Sequence, residues 1–357
     1  MATTTALPLW IGTYPAPGQD AGSGEGVWRV DVAPDGTFGV PTLAAASSAP
    51  SFLALHPGGH TLYAVGETAE GTVSAFRVDG ESLGQPVTIS SGGDSPCHLL
   101  ALDDVLWVAN YGDGVAAAVP LTVRTGAPAA GAVTYAAPEG TGAHAHFCAV
   151  VGDDVVVADL GLDAVRRYPA HPAAGAAAPE PVVAARLAPG SGPRHLVVLE
   201  DGSLVVAGEL DSRLHVLAPG DAGWAPSSST PAAATPGEVG PYPSHVTLTG
   251  DLLLVGVRGA EVLAAHRVTR HVGGRATVEH LADVDLGAGA WPRHHEVVGR
   301  ADDGRLLVVL ALQGTAELVS VLVDPVSGAG EVAARLPFAT PPACVLPARE
   351  PAGESTP

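Results

Sequence analysis

The sequence predicts an all-β protein, a seven-bladed β-propeller with four-stranded blades closed by the N-terminal strand, on three observations. One unit recurs: a Pro-x-His-like start, an alternating apolar strand, a Gly/Asp turn and a second apolar strand. The third residue of the copies falls at Phe52, His98, His146 (or its neighbour Phe147), His195, His245, His294 and Cys344, spacings of 46 to 50 residues that suit a propeller blade. The seventh copy stops after one strand, and a strand of the missing kind stands at the other end of the chain.

Taken in order, that N-terminal strand is LPLWIGTY, Leu7 to Tyr14. The copies follow as PSFLALHPGGHTLYAVGE from Pro50, PCHLLALDDVLWVANY from Pro96, AHFCAVVGDDVVVADL from Ala145 and PRHLVVLEDGSLVVAGEL from Pro193. PSHVTLTGDLLLVGVRG from Pro243, PRHHEVVGRADDGRLLVVLALQ from Pro292 and the truncated PACVLP from Pro342 complete the set. Third strands are expected at Gly71 to Val78, Asp163 to Tyr168 and Glu317 to Asp324. Alanine-rich stretches at 126–142, 169–181 and 218–240 are cut by Pro and Gly, which break helices, and are expected to be inter-strand loops. The single unit is expected over residues 1–347, with a disordered tail at 348–357. Closing the ring removes the sheet edges that invite aggregation.

Composition narrows the function. The 357 residues carry 37 Asp+Glu against 17 Lys+Arg, all of them arginine, for a net charge of −20. Coating nucleic acid needs clustered cations, so that class is excluded, while a small anion gripped by two or three arginines is compatible. No apolar run reaches the roughly 20 residues of a membrane span, and MATTTALPLW lacks the basic start of a signal peptide. Cys97, Cys148 and Cys344 are odd in number and far apart, as in a reduced cytoplasmic protein. We expect a cytoplasmic monomer acting on a small anionic substrate, with no nucleic-acid or membrane partner, no cofactor and no metal.

Hairpin counting brings the start of each first strand beside the end of the second. A turn at Asp201-Gly202 sets Arg194 and His195 opposite Leu210 and Glu209; a turn at Gly152-Asp153 sets His146 opposite Asp159; Ser244 falls near Arg258. One face of the disc therefore gathers Glu67, Cys97, His98, Asn110, His144, His146, Asp159, Arg194, His195, Glu209, His245, Arg258, Arg293, His294 and Gln313 around the channel mouth. Histidine recurs at the third repeat position, which also suits an architectural bond to a neighbouring blade's backbone. Arg194, Glu209, Arg258 and the His144-Ala145-His146 element depart from the repeat. No GxSxG elbow or phosphate-binding glycine loop is present.

These residues resemble the seven-bladed lactonase family, which contains the bacterial propeller-type 6-phosphogluconolactonases and the fungal 3-carboxymuconate lactonizing enzymes. The resemblance runs from LWIGTY at Leu9 to Cys344 and rests on HAHF, VADLGLDAVRRY, GPRHLVVLEDGSLVVAGEL, GVRG and WPRHHEVVGRADDGRLLVV together. It implies His146 (with His144 beside it), Arg194, Glu209 and Arg258 as the reaction centre. His144, His195, His245, Arg293, His294 and Gln313 are the expected substrate contacts. The sequence departs from the family at Val257 and Leu312, where asparagine is usual, and at Ala145, where proline is common; the first two place polar substrate contacts in question.

The implied activity is cofactor-independent hydrolysis of a sugar-acid lactone, foremost 6-phosphoglucono-1,5-lactone. His146 would act as general base, Arg194 and Arg258 as anion clamp, and Glu209 as the group that orients Arg194 or serves as acid. A lactonizing enzyme for a carboxymuconate and a non-catalytic binding propeller are the alternatives.

Overall fold

Five second strands, Thr61–Gly66, Val105–Asn110, Leu204–Gly208, Leu252–Arg258 and Leu306–Leu312, are buried at every residue. Such strands need a sheet covered on both faces. In a propeller each blade packs between two others. The computed structural model describes residues 6–137, 142–178, 182–235, 237, 240–271 and 275–348. Among them there is no helix, and seven antiparallel sheets form the ring. Seven apolar clusters fill the seven interfaces between neighbouring blades, so the core is a ring of interfaces.

Inner strands of blades 1 to 6 are Leu53–Leu55, Pro96–Ala101, Ala145–Val151, Pro193–Val198, Tyr242–Thr249 and Pro292–Arg300. In blade 7 the inner strand is Pro342–Pro347, and the N-terminus supplies the other three: Leu7–Thr13, Gly26–Val32 and Thr42–Ala46. The closure expected from one N-terminal strand thus involves three. Ile11 pairs with Val345 and Gly12 with Cys344 in that seam. A side chain at Gly12 would strike the Pro50 carbonyl, which accounts for the glycine of LWIGTY.

The alanine-rich stretches are not all loops. Val133–Tyr135 and Gly223–Pro231 are outer fourth strands, and the third strand of blade 4 runs on to Gly220. Gly223–Pro231 is mostly exposed, so it carries no apolar pattern, and an edge strand tolerates proline. Residues 138–141, 179–181, 236, 238 and 239 of those stretches lie outside the described residues, as does the expected tail from 349. Ala348 is the last described residue, and its amide donates to the Pro8 carbonyl at 2.8 Å.

Hairpin counting misplaces the pairs at the channel face, where the inner strands carry bulges: by one residue in blade 3, where Asp159 pairs with Ala145 and not His146, and by two in blade 4, where His195 pairs with Ala207 and not Glu209. In blade 4, Pro193 pairs with Gly208 and His195 with Ala207, leaving Arg194 as the extra residue. In blade 3, Ala145 pairs with Asp159 and Phe147 with Ala158, leaving His146. Irregularities at the same level leave out Cys97, Arg293 and Ala343, and in blade 5 one falls between Pro243 and Val246. A bulge re-aims a side chain, so consecutive residues such as Arg194 and His195 both serve the channel.

Candidate active site

The bulges align the repeats into three tiers. Residues left out at the bulges, with their equivalents, are Ser51, Cys97, His146, Arg194, Ser244, Arg293 and Ala343. His146 is therefore the counterpart of Arg194, whereas Phe147 is the counterpart of His195. The next residues, Phe52, His98, Phe147, His195, His245, His294 and Cys344, lie one level deeper. Residues just past the second strands, with the last strand residue Arg258 in blade 5, form the rim: Tyr14, Glu67, Tyr111, Leu160, Glu209, Arg258 and Gln313.

The deeper tier forms a hoop of rings across the channel. Centroids are 4.3 Å apart for Phe52–His98, 4.1 Å for His98–Phe147, 4.5 Å for Phe147–His195, 4.9 Å for His195–His245, 3.9 Å for His245–His294 and 5.5 Å for His294–Phe52. His98 Nδ1 accepts the Cys148 amide at 3.2 Å and His294 Nδ1 accepts the Val345 amide at 3.3 Å, each from the following blade. His195 and His245 face each other through their Nδ1 atoms at 2.8 Å. Burial holds His98 down to about 3 and His195, His245 and His294 well below the ordinary imidazole value. The substrate contacts expected of His195, His245 and His294 thus fall on a neutral, buried floor whose rings bond one another and neighbouring backbone.

Above that floor, Glu209 joins two blades. Its Oε2 lies 2.8 Å from Arg194 Nε and 2.9 Å from Arg258 Nη2. Arg194 Nη1 donates to the Ser244 carbonyl at 2.6 Å, and Arg258 Nε to the Tyr242 carbonyl at 3.3 Å. The Arg258 guanidinium also lies 5.5 Å from the Trp291 ring centroid. Burial, then the neighbouring Arg258 charge, pulls Arg194 down to about 9, so both guanidinium groups stay charged at neutral pH. Each arginine uses only two of its five N–H donors on these contacts.

His146 stands beside this pair, 7% exposed, with Nδ1 buried and unpartnered among the described residues. Burial, then the charges of Arg194 and Arg293, holds it well below 6.5, so its ring is neutral and keeps a lone pair. Cys97, from the preceding blade, donates its thiol to the His146 carbonyl at 3.5 Å and bears on that bulge. His144 stacks on Tyr111 at 4.4 Å and points Nδ1 at the Tyr111 carbonyl, 2.7 Å away, which fixes the proton on Nδ1.

Asp159 does not join the mouth. Its Oδ1 accepts the His144 and Leu162 amides at 2.9 and 3.0 Å, and Oδ2 pairs with fully buried Arg166 at 3.0 Å. Asn110 is likewise taken up, donating to the Ser91 and Val115 carbonyls. Val257 and Leu312 occupy the same position in their blades and are buried in blade interfaces. Both departures therefore fall in the apolar interfaces between blades.

Across the mouth, Arg293 Nη2 lies 2.9 Å from Glu67 Oε2 and Nη1 lies 3.4 Å from Gln313 Oε1. Glu67 also accepts the Ser51 hydroxyl, and the Tyr14 hydroxyl at 3.4 Å. The structure therefore brings together His146, Arg194, Glu209 and Arg258 on one side and Arg293 and Gln313 on the other. Sequence reasoning did not single out Tyr14, Ser51 or Tyr111. Aligning the ends of LWIGTY, LYAVGE, LWVANY, LVVAGE and LVVLALQ would have found the rim.

Known proteins share this fold. The sequence matches the family described as "Lactonase, 7-bladed beta-propeller" over residues 8–347. The periplasmic gluconolactonase of Pseudomonas aeruginosa is 25% identical with a TM-score of 0.78, over 94% of this chain and 98% of that one. Candidate 6-phosphogluconolactonases of Bacteroides fragilis and Bacteroides uniformis are each 22% identical with TM-scores of 0.76. They cover 97% and 95% of this chain and 98% of their own, a likeness of fold. No curated protein matches the sequence. On a match spanning nearly all of its length, the chain belongs to the seven-bladed β-propeller lactonase family, and it is a lactone hydrolase.

Proposed function

We propose that the protein hydrolyses 6-phosphoglucono-1,5-lactone to 6-phosphogluconate. The observation that carries this reading is the pairing of a neutral, unpartnered imidazole with two glutamate-held arginines on adjoining blades of one mouth. Water attacks the lactone carbonyl while His146 takes its proton. Arg194 stabilises the oxyanion that develops, and Arg258 holds the phosphate. The carbon–ring-oxygen bond then breaks and His146 returns the proton to the leaving oxygen, giving the open acid. Glu209 keeps both arginines in place and takes no proton. Cytoplasmic residence goes with the proposal, supported by the three buried free thiols, and the protein is proposed to act as a monomer.

One observation favours a second reading, the unphosphorylated aldonolactone. Each arginine of the mouth already faces a carboxylate, Glu209 or Glu67, which weakens the attraction for a doubly charged phosphate. The test is disappearance of freshly made 6-phosphogluconolactone and of glucono-1,5-lactone, corrected for spontaneous hydrolysis, with wild type and Arg194→Ala. Acceleration of the phosphorylated lactone alone supports the first reading, and equal kcat/KM on both supports the second. No acceleration of either by a folded wild type refutes both.

A further inference from the structure

The mouth is electrically two-sided. On the side of blades 3 to 5, Arg194 and Arg258 share the single carboxylate of Glu209 beside neutral His146. On the side of blades 6, 7 and 1, among the described residues Glu67 pairs with no arginine but Arg293, at 2.9 Å, whose guanidinium lies 5.0 Å from the Tyr14 ring centroid. A cavity of about 470 Å³ opens beside this second pair, walled by Tyr14, Glu67, Thr68, Gln313 and the loop through Asp20.

The polar groups of that cavity keep hydrogen-bonding capacity. Among the described residues the Gln313 amide nitrogen donates to nothing and the Thr68 hydroxyl is unbonded, while Glu67 Oε1 has only the long 3.4 Å contact with Tyr14. Arg293 and Glu67 cancel, and Asp20 adds a negative charge, so a second anion is repelled there. Interleaved donors and acceptors beside an aromatic ring suit a row of hydroxyls on a carbon ring instead.

A 1,5-lactone of a hexonic acid has matching edges. Its carbonyl and its C6 substituent flank the ring oxygen, and its C2, C3 and C4 hydroxyls line the opposite edge. We propose that the cavity is a polyol subsite which takes this hydroxyl edge, with Glu67 accepting from one hydroxyl and Gln313 donating to its neighbour. The ring-oxygen edge then faces His146, Arg194 and Arg258, so the subsite sets which way round the lactone binds. This assignment rests on the lactonase reading above, and it makes Glu67 and Gln313 specificity residues that take no part in bond breaking.

The experiment compares kcat/KM for glucono-1,5-lactone with that for δ-valerolactone, the same ring without hydroxyls, in wild type, Gln313→Ala and Glu67→Gln. The preference for the hydroxylated lactone should fall about tenfold or more in each variant, mainly through KM. A preference within about twofold of wild type in folded Gln313→Ala, whose side chain is at the rim, overturns the subsite. If wild type hydrolyses neither lactone, D-gluconate is titrated against hexanoate by calorimetry, and the lactonase reading itself fails only if 6-phosphogluconolactone is left unhydrolysed too. Saturable gluconate binding that weakens about tenfold in Gln313→Ala then supports the subsite, and equal behaviour of the two acids overturns it.

Discussion

Glu209 holds two arginines from two blades with one oxygen atom, so Glu209→Ala is the sharpest perturbation of the site. Arg194 and Arg258 are only 3% and 8% exposed, and the change leaves both charges without their carboxylate. Removing one member of a buried ion pair costs about 3–5 kcal/mol. The Glu209 side chain keeps 19% of its exposure, and water entering the space it leaves would soften the loss, so about 3 kcal/mol is expected. The arginines would also lose their orientation toward the reacting carbonyl, lowering kcat/KM by about 10²-fold. Urea unfolding read by fluorescence gives the first quantity, provided the m-value is unchanged; the lactone assay gives the second. Acetate should recover part of both by entering between the guanidinium groups, and Glu209→Gln, which retains one carbonyl oxygen, should fall between. A Glu209→Ala protein within about 0.5 kcal/mol of wild type, with kcat/KM within about threefold, would refute the reasoning.

Further expectations follow from the same geometry. His146→Ala should lower kcat by about 10²–10⁴-fold without moving the unfolding midpoint, and a loss under about threefold would remove it as the base. Because burial and the charges of Arg194 and Arg293 hold His146 well below 6.5, kcat/KM should show no acid limb near pH 6.5; a limb there would contradict a neutral imidazole. Acid should unfold the protein steeply: His98, held at about 3, and His195, His245 and His294, held well below 6.5, refuse protons that the unfolded chain takes up at about 6.5. Stability is therefore full above pH 6.5 and falls as pH drops below it, with several protons taken up on unfolding; a flat urea midpoint from pH 7.5 to about 5 would show the hoop is not buried neutral. Asp159→Ala strands fully buried Arg166 and should cost about 3–5 kcal/mol in the same urea experiment.

Much of the architecture was legible in the chain because each blade repeats one hairpin. Its apolar second strands, such as LLLVGVR and RLLVVLALQ, have no other way to cover both faces than to lie between neighbours. Fourth strands were not legible: Gly223–Pro231 lies at an outer edge, where burial imposes no pattern and proline is allowed. Of the site, Arg194, Glu209 and Arg258 stood out as departures from the repeat. The level of His146 did not, since counting from the turn assumes an unbroken ladder, and the bulge that makes it the counterpart of Arg194 adds one residue.

By itself the sequence determined the ring, its closure through the N-terminus and the face on which polar residues gather, since those follow from strand period, turn position and repeat length. Only the tertiary structure decided which of those residues point into the mouth and which hold the ring together. His195, His245 and His294 share a repeat position with Phe147 and close a floor of rings, and Asp159 is drawn away to Arg166. Glu67 meets Arg293 from 226 residues away. Those partners come from other blades, and which blades stand next to one another across a channel is set by closing the ring, a relation no local stretch of chain contains.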